Sequence, residues 1–325
     1  MATSAMAAPP TFPDIADAAR RIADWVVPTP VLHSASLAAL AGARIEFKCE
    51  NFQHAGAFKF RGASNTVAAL NDAEAARGVA THSSGNHGAA LALAARKRGI
   101  PAHVVVPTGA TATKVAAIEA FGGHIHWCAP TQAAREAMAE AVCRETGARF
   151  VHPNTDPLVI AGQGTAAVEL LRDVGPLDAL VVPVGGGGLA AGTTIAAGTL
   201  APALRVFGAE PAGADDAARA LESGVLEPLP SPRTVCDGLR TTLGAINYAV
   251  LRQHCVQVLR VADDDTIAAM RLLWERLKII VEPSSAIAFA AVCVHREHFA
   301  GKRVGVILSG GNVDLDALPW INPPA

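Results

Sequence analysis

The sequence predicts a two-lobe α/β protein with parallel-type sheets flanked by helices, and three observations carry that prediction. Short apolar runs recur without polar alternation, as strands buried on both faces require. Between them lie stretches with the length and periodicity of helices. Three of the runs end in segments rich in glycine, serine and asparagine, at the place where open α/β sheets bind ligands.

Taken in order, "DIADAARRIADWV" predicts a helix with Asp14 as N-cap and Ile15, Ala18, Ile22 and Val26 on one face. "ARIEFKCE" alternates Ile45, Phe47 and Cys49 and predicts a strand. Further strands are predicted over 102–107, 124–128, 178–184, 205–210 and 302–309, with a short one before "THSSGNHG". Helices are predicted over 87–98, 112–121, 131–146, 164–173, 264–277 and 284–297. Turn and charge signals in "NDAEAARG" and "HPNTDP" divide the chain into a large lobe, 1–74 with 153–325, and a small mobile lobe, 75–152.

Composition bounds the function. The 325 residues are 51% hydrophobic and 17% charged, which supplies a sizeable core for one large unit or two lobes. Net charge is -2 and no basic tract occurs, which argues against nucleic acid and anionic membranes as partners. Six scattered cysteines form no CxxC motif, a pattern of free thiols in a reducing cytosol. The opening "MATSAMAAPPTFPD" has no basic n-region and no apolar h-region. The uncharged run from Ala179 to Leu204 holds six glycines and two prolines, so it is not read as a membrane span. The expectation is a soluble cytoplasmic protein.

Chemistry gathers at four places. In "ENFQHAGAFKFRGASN", Lys59 stands between Phe58 and Phe60. An exposed lysine is protonated and idle, whereas desolvation lowers its pKa and frees a nucleophilic amine. From this stretch alone, a helix start with its lysine facing water stays an open alternative. "THSSGNHGAAL" offers Ser83, Ser84, Asn86 and His87 at a helix N-terminus, where a carboxylate fits and a plain N-cap is the alternative. "VVPVGGGGLAAG" places Gly185, Gly186, Gly187 and Gly188 between a buried strand and a helix, so that backbone amides can curl around a phosphate. Gly185-x-Gly187-x-x-Ala190 followed by Glu210 also mimics a dinucleotide fingerprint, and the loop alone does not separate the two. "VGVILSGGNVD" ends the last strand with Ser309, where a small hydroxyl can face a ring nitrogen.

The blocks "GAFKFRGA", "THSSGNHG", "HPNTDPLVIAGQGT", "VPVGGGG", "AEPAGADD", "DGLRTTLG", "VEPSSA" and "LSGGNVD" occur in an order that resembles the serine racemase and serine/threonine dehydratase family. These are pyridoxal-phosphate enzymes of fold type II, the tryptophan synthase β fold. The family includes bacterial dehydratases of 3-hydroxyaspartate and other β-hydroxy amino acids. The resemblance covers about residues 14 to 320. It implies that the large lobe binds pyridoxal 5'-phosphate, with Lys59 as its Schiff-base lysine and Phe58 packed on the pyridine ring. It further implies Gly185 to Leu189 on the phosphate, Asn86 on the phenolic oxygen, Gly238 on the other ring face and Ser309 on the ring nitrogen. Ser83, Ser84, Asn86 and His87 then receive the carboxylate of a small amino-acid substrate, and Arg135 contacts a distal carboxylate.

A neutral partner at the ring nitrogen favours β-elimination over deeper carbanion chemistry. The resemblance therefore implies loss of the Cα proton to Lys59 and of the β-hydroxyl, giving a 2-oxo acid and ammonia. Ser84 matches the serine that racemases use on the far face, so an amino-acid racemase with dehydratase side activity is the alternative. A nicotinamide-dependent oxidoreductase is the alternative from another class, but it gives Lys59 no task. "AEPAGADDAAR" resembles a divalent-cation site, with Glu210, the Ala214 carbonyl and Asp216 as ligands for Mg2+, Ca2+ or Mn2+. A helix cap by Asp215 and Asp216 is the competing reading. The resemblance also implies a homodimer.

Overall fold

The computed structural model describes residues 8–228 and 231–321, so the leader reading of residues 1–7 lies outside the described part. Ten strands are present: β1 (Val31–Leu32), β2 (Arg44–Cys49), β3 (Val79–Thr81), β4 (Ala102–Pro107), β5 (His124–Cys128), β6 (Arg149–Phe150), β7 (Ala179–Pro183), β8 (Arg205–Pro211), β9 (Gln257–Val261) and β10 (Arg303–Leu308). They form a six-stranded sheet in the order β1-β2-β10-β7-β8-β9 and a four-stranded sheet in the order β5-β4-β3-β6. All pairings are parallel except β1 with β2.

Burial on both faces explains the unbroken apolar strands. In β7, Val181 packs with Phe47, Phe207 and Phe289 on one side of the large sheet, beside the helix Pro283–Val294. Leu180 and Val182 pack on the other with Ile160, Leu170 and Ile195, from the helices Pro157–Val174 and Gly188–Leu200. The small sheet is covered likewise. Val105 meets Ala139 and Val142 of the helix Gln132–Thr146, and Val104 and Val106 meet Ala89 and Ile118 on the opposite face. The run from Ala179 becomes β7, a loop and a helix, and among the described residues no helix is long and apolar enough to cross a membrane. All six cysteines are unpaired.

Two expectations about elements change. The first helix is Phe12–Arg21, capped by Thr11, and Asp14 sits at N3 as the return partner of a capping box. The helix predicted over 164–173 begins at Pro157 instead, because Asp156 caps it through Leu158 N at 2.8 Å. The lysine segment opens a helix, Lys59–Ala69, most of whose residues are buried.

That helix is fixed by a buried ionic network two residues beyond the lysine. Arg61 donates to both oxygens of Glu50, at 2.7 and 2.8 Å, and to both of Glu169, at 2.6 and 2.7 Å. Lys48 Nζ reaches Glu169 at 2.7 Å, and Thr29 Oγ1 donates to Glu50 at 2.6 Å. Breaking such a network from one side costs about 3–5 kcal/mol, because the remaining charges stay buried and uncompensated. Gly62 lets the helix approach Pro157–Val174 closely, since a Cβ there would lie 2.7 Å from Val159 O. The network and this contact hold the lysine's backbone in place.

Candidate active site

Four strand ends of the two sheets converge on one cavity of about 690 Å³, within the range of small-molecule sites. Phe58, Lys59, Ser83, Ser84, Asn86 and His87 line it. So do Arg135, Gly185 to Leu189, Gly238 and Ser309, which brings every sequence-predicted cofactor and substrate residue together. The predicted cation ligands, Glu210, the Ala214 carbonyl and Asp216, stand apart from this lining.

Lys59 does not face bulk water, so the outward reading of the segment is corrected. Its Nζ donates to Pro153 O at 2.8 Å and to Asn154 Oδ1 at 2.9 Å, and it lies 5.1 Å from the Phe58 ring centroid. Desolvation pulls its pKa down to about 7. Phe58 N donates to Ser309 O at 2.9 Å, which stitches the lysine segment to the end of β10. Ser309 is buried, and its hydroxyl makes only a long contact, 3.4 Å, with Ser284 O.

The glycine loop after β7 is shaped by its neighbours. A Cβ on Gly185 would come within 2.9 Å of Leu239 Cα, and one on Gly188 within 2.9 Å of Asn154 O. Gly187 has φ +85°, a conformation side chains disfavour. The loop is therefore a backbone cradle at the start of the helix Gly188–Leu200, suited to a phosphate. Asn247, fully buried, clamps it by donating to Gly186 O at 2.6 Å and to Asn154 O at 2.8 Å.

The loop between β3 and the helix Asn86–Arg98 supplies Ser83 to His87. Neither ring nitrogen of His87 finds a hydrogen bond of normal geometry among the described residues. Burial, then the nearby Lys59 and His152, hold its pKa well below the usual value, so the ring is neutral. Arg135, on the helix Gln132–Thr146, has a buried Nε with no partner among the described residues. These orphaned polar atoms and the glycine cradle fit a phosphate- and carboxylate-bearing occupant, so the residues present suit pyridoxal phosphate with its substrate.

Four side chains at the site, Glu282, Asn312, Asn154 and Asn247, have no role in the sequence reading, although the first three stand in blocks it quotes. Glu282 Oε1 accepts from Asn86 Nδ2 at 2.8 Å, while Asn312 Nδ2 donates to Asn86 Oδ1 at 3.0 Å. Together they fix which way the Asn86 amide points. Burial, then the charge of Asp237, pushes the Glu282 carboxyl up to about 8. Lys114 pairs with Asp237 between the small sheet's helices and the large lobe. Asn154 and Asn247 act through Lys59 and the glycine loop. An acid directly before proline, in an otherwise apolar stretch, was the available signal for Glu282.

At the end of β8, Glu210 accepts from Ala217 N at 3.0 Å and from Ala218 N at 2.9 Å. The cap of the helix Asp216–Ser223 is thus Glu210, in place of the pair Asp215 and Asp216. Asp215 is engaged by Arg219 and Arg260, both at 2.9 Å. Asp216 Oδ2 accepts from Leu243 N at 2.7 Å, whereas its buried Oδ1 is unpartnered among the described residues. Burial, with some help from Asp216 and Asp215, raises Glu210 to about 8. Among the described residues, no three His, Cys, Asp or Glu side chains stand already arranged as a metal cage.

Lys59, the glycine loop after β7 and the serine-rich loop after β3 thus share one cavity. The chain belongs to the pyridoxal-phosphate dependent enzyme family, whose sequence model matches residues 22–310. It is 49% identical to the β-hydroxyaspartate dehydratase of Paracoccus denitrificans, over 96% of this chain and 99% of that protein. The L-threo-3-hydroxyaspartate ammonia-lyase of Saccharomyces cerevisiae is 44% identical over 94% of each chain. Among solved structures, maize serine racemase matches with a TM-score of 0.92 and 45% identity, covering 94% of this chain and 95% of that one. The fold type II expectation agrees with these likenesses, and the nicotinamide alternative falls with them.

Proposed function

We propose that the protein is a pyridoxal-phosphate dehydratase that converts an L-β-hydroxy-α-amino acid to a 2-oxo acid and ammonia. The observation that carries this reading is Lys59, whose Nζ stands inside the cleft on Pro153 O and Asn154 Oδ1, in one lining with the glycine loop and the Ser83–His87 loop. Such an amine serves both as covalent anchor and as general base. Bound there, the cofactor supplies an electron sink for charge developing at Cα.

The chain's own residues do the rest. Backbone amides of Gly185 to Leu189 would hold the phosphate, Phe58 and Gly238 would flank the ring, and the Ser309 hydroxyl would serve the ring nitrogen as a neutral partner. Asn86, held by Glu282 and Asn312, would give its remaining Nδ2 hydrogen to the phenolic oxygen. Ser83, Ser84, Asn86 and His87 take the substrate carboxylate, and Lys59 Nζ removes the Cα proton. Arg135 gives a distal carboxylate its partner, which favours 3-hydroxyaspartate over serine, threonine and phenylserine. The names of the Paracoccus and yeast relatives point the same way. Ammonia release from each stereoisomer of these four substrates tests the reading, and turnover of none of them refutes it.

A second reading, racemisation, rests on Ser84 in the same cavity and on the likeness to maize serine racemase. We further propose one divalent cation, Mg2+, Ca2+ or Mn2+, held by Glu210, the Ala214 carbonyl and Asp216. The unpartnered Oδ1 of Asp216 supports it. Adding the cation to chelator-treated protein should raise the melting temperature by mass action, and Glu210→Ala should remove that response. An unchanged wild-type melting curve leaves Glu210 as a helix cap only. The working form is proposed as a cytoplasmic homodimer. Exposed Phe52 and Ile280, on segments joined by Asn51 Nδ2 to Ile280 O, offer apolar surface to a second copy. A monomer in sedimentation velocity rejects that assembly.

A further inference from the structure

Three histidines meet on one face of the small sheet, away from the cleft. His103 in β4 stands directly opposite His124 in β5, and His126 lies one step further along the same face of β5, opposite Val105. His103 Nδ1 and His126 Nε2 are 3.1 Å apart. The His103 ring also stacks on His124, with centroids 5.5 Å apart, and lies 5.2 Å from the His126 ring. The rest of this face is apolar, with Ala80, Val105 and Cys128 packed against the helix Gln132–Thr146. Glu145, exposed in the last turn of that helix, projects its charge onto His103 and His126.

We propose that His103 and His126 form a chelating site for a divalent transition cation of imidazole preference, Zn2+, Cu2+ or Ni2+, which clamps the edge strand β5 to β4. The geometry is the argument. Imidazole nitrogens bound at about 2.0–2.1 Å in a tetrahedral shell stand about 3.3 Å from each other. The two nitrogens at 3.1 Å already have that bite within a few tenths of an ångström. Without a metal, they share one proton between two bases. With a metal, the shared proton is displaced and both nitrogens turn their lone pairs to the ion.

Imidazole suits Zn2+, Cu2+ and Ni2+, whereas Mg2+ and Ca2+ prefer oxygen, so this site and the acidic one at Glu210 select different ions. The remaining positions fall to water and to His124 or Glu145, both exposed. Desolvation and the neighbouring histidines hold His103 and His126 below the ordinary imidazole range, so both rings are neutral ligands at pH 7. His103 is the second residue of β4, at the N-terminal end of the parallel sheet, and the substrate loop follows the C-terminal end of β3. The ion would therefore change the stability of the small lobe without touching the chemistry.

The test uses tag-free holoenzyme carrying Cys255→Ser, to remove the exposed thiol, in excess Mg2+, to occupy the oxygen site. Calorimetric titration with Ni2+ should show one equivalent that Mg2+ does not displace and that weakens towards pH 5. Loss of a group that merely supports a ligand costs about 10- to 100-fold in affinity. His103→Gln and His126→Gln should therefore each weaken Ni2+ at least about tenfold while dehydratase turnover is retained. Should either variant misfold, the Cu2+ spin-resonance spectrum of the parent protein decides, since two nitrogen couplings are expected. Fewer than two nitrogens, no Ni2+ equivalent, or affinity unchanged in folded variants overturns the proposal.

Discussion

Lys59→Ala is expected to reduce ammonia release to background, a loss of at least about 10⁴-fold, because one side chain serves as both anchor and Cα base. The protein should still fold. The amine lines a cavity that water can fill, and the buried charges that fix its helix belong to Arg61, Glu50, Glu169 and Lys48. An unchanged circular dichroism spectrum and melting curve separate lost chemistry from lost structure. In the wild type, borohydride should fix the cofactor to the peptide carrying Lys59. A label on Lys48, tied to Glu169 and Thr29 O, or on Lys114, paired with Asp237, would sink the assignment. The lowered pKa adds a pH test. Only the neutral amine attacks a carbonyl, and its fraction falls about tenfold per pH unit below the pKa. Cofactor capture by the apoprotein should therefore be level above about pH 7 and fall as pH drops below it. Capture that keeps climbing to pH 10 would mean the lysine is not desolvated.

How much of this was legible depended on whether the partners of a residue lay near it in the chain. Buried strands announced themselves, since Val104 to Val106 and Leu180 to Val182 are apolar whichever face they meet. The glycine loop was legible because four glycines in a row answer to a backbone requirement that few other functions share. The helix Lys59–Ala69 was not assigned as an element, because its sequence looks polar. Arg61, Ser64, Asn65 and Thr66 are all buried, held in part by Glu169 and Leu158 O, about a hundred positions downstream. Helical periodicity has no term for such partners. Asp156-Pro157 was read as a turn, although it is also the cap and first residue of a helix, a pair of meanings that only the following residues separate. The same limit hid Asn247, whose clamp on Gly186 spans 61 positions.

Ser84→Ala should divide the two faces of the substrate. Racemisation needs a second acid/base opposite Lys59, and Ser84 is the loop residue proposed for it. A serine hydroxyl is a weak base, so its contribution depends on its neighbours; His82, His152 and Asp237 line the same cavity. Desolvation, with like-charge repulsion from His82 and Lys59, lowers His152 to about 4, and burial also lowers His82, so both rings are neutral and weakly basic near pH 7. The variant should retain most elimination of an L-β-hydroxy amino acid, because Lys59 and the remaining carboxylate donors are untouched. Any racemisation, or dehydration of a D-isomer, should fall by about 10²–10⁴-fold, the usual effect of losing a general acid/base. Deuterium exchange at Cα in heavy water, resolved by enantiomer, reads both faces in one experiment. Equal losses for the two enantiomers would make Ser84 a carboxylate anchor. Exchange confined to the L-enantiomer in the wild type would leave Lys59 as the sole base, and the dehydratase reading would then need no second face.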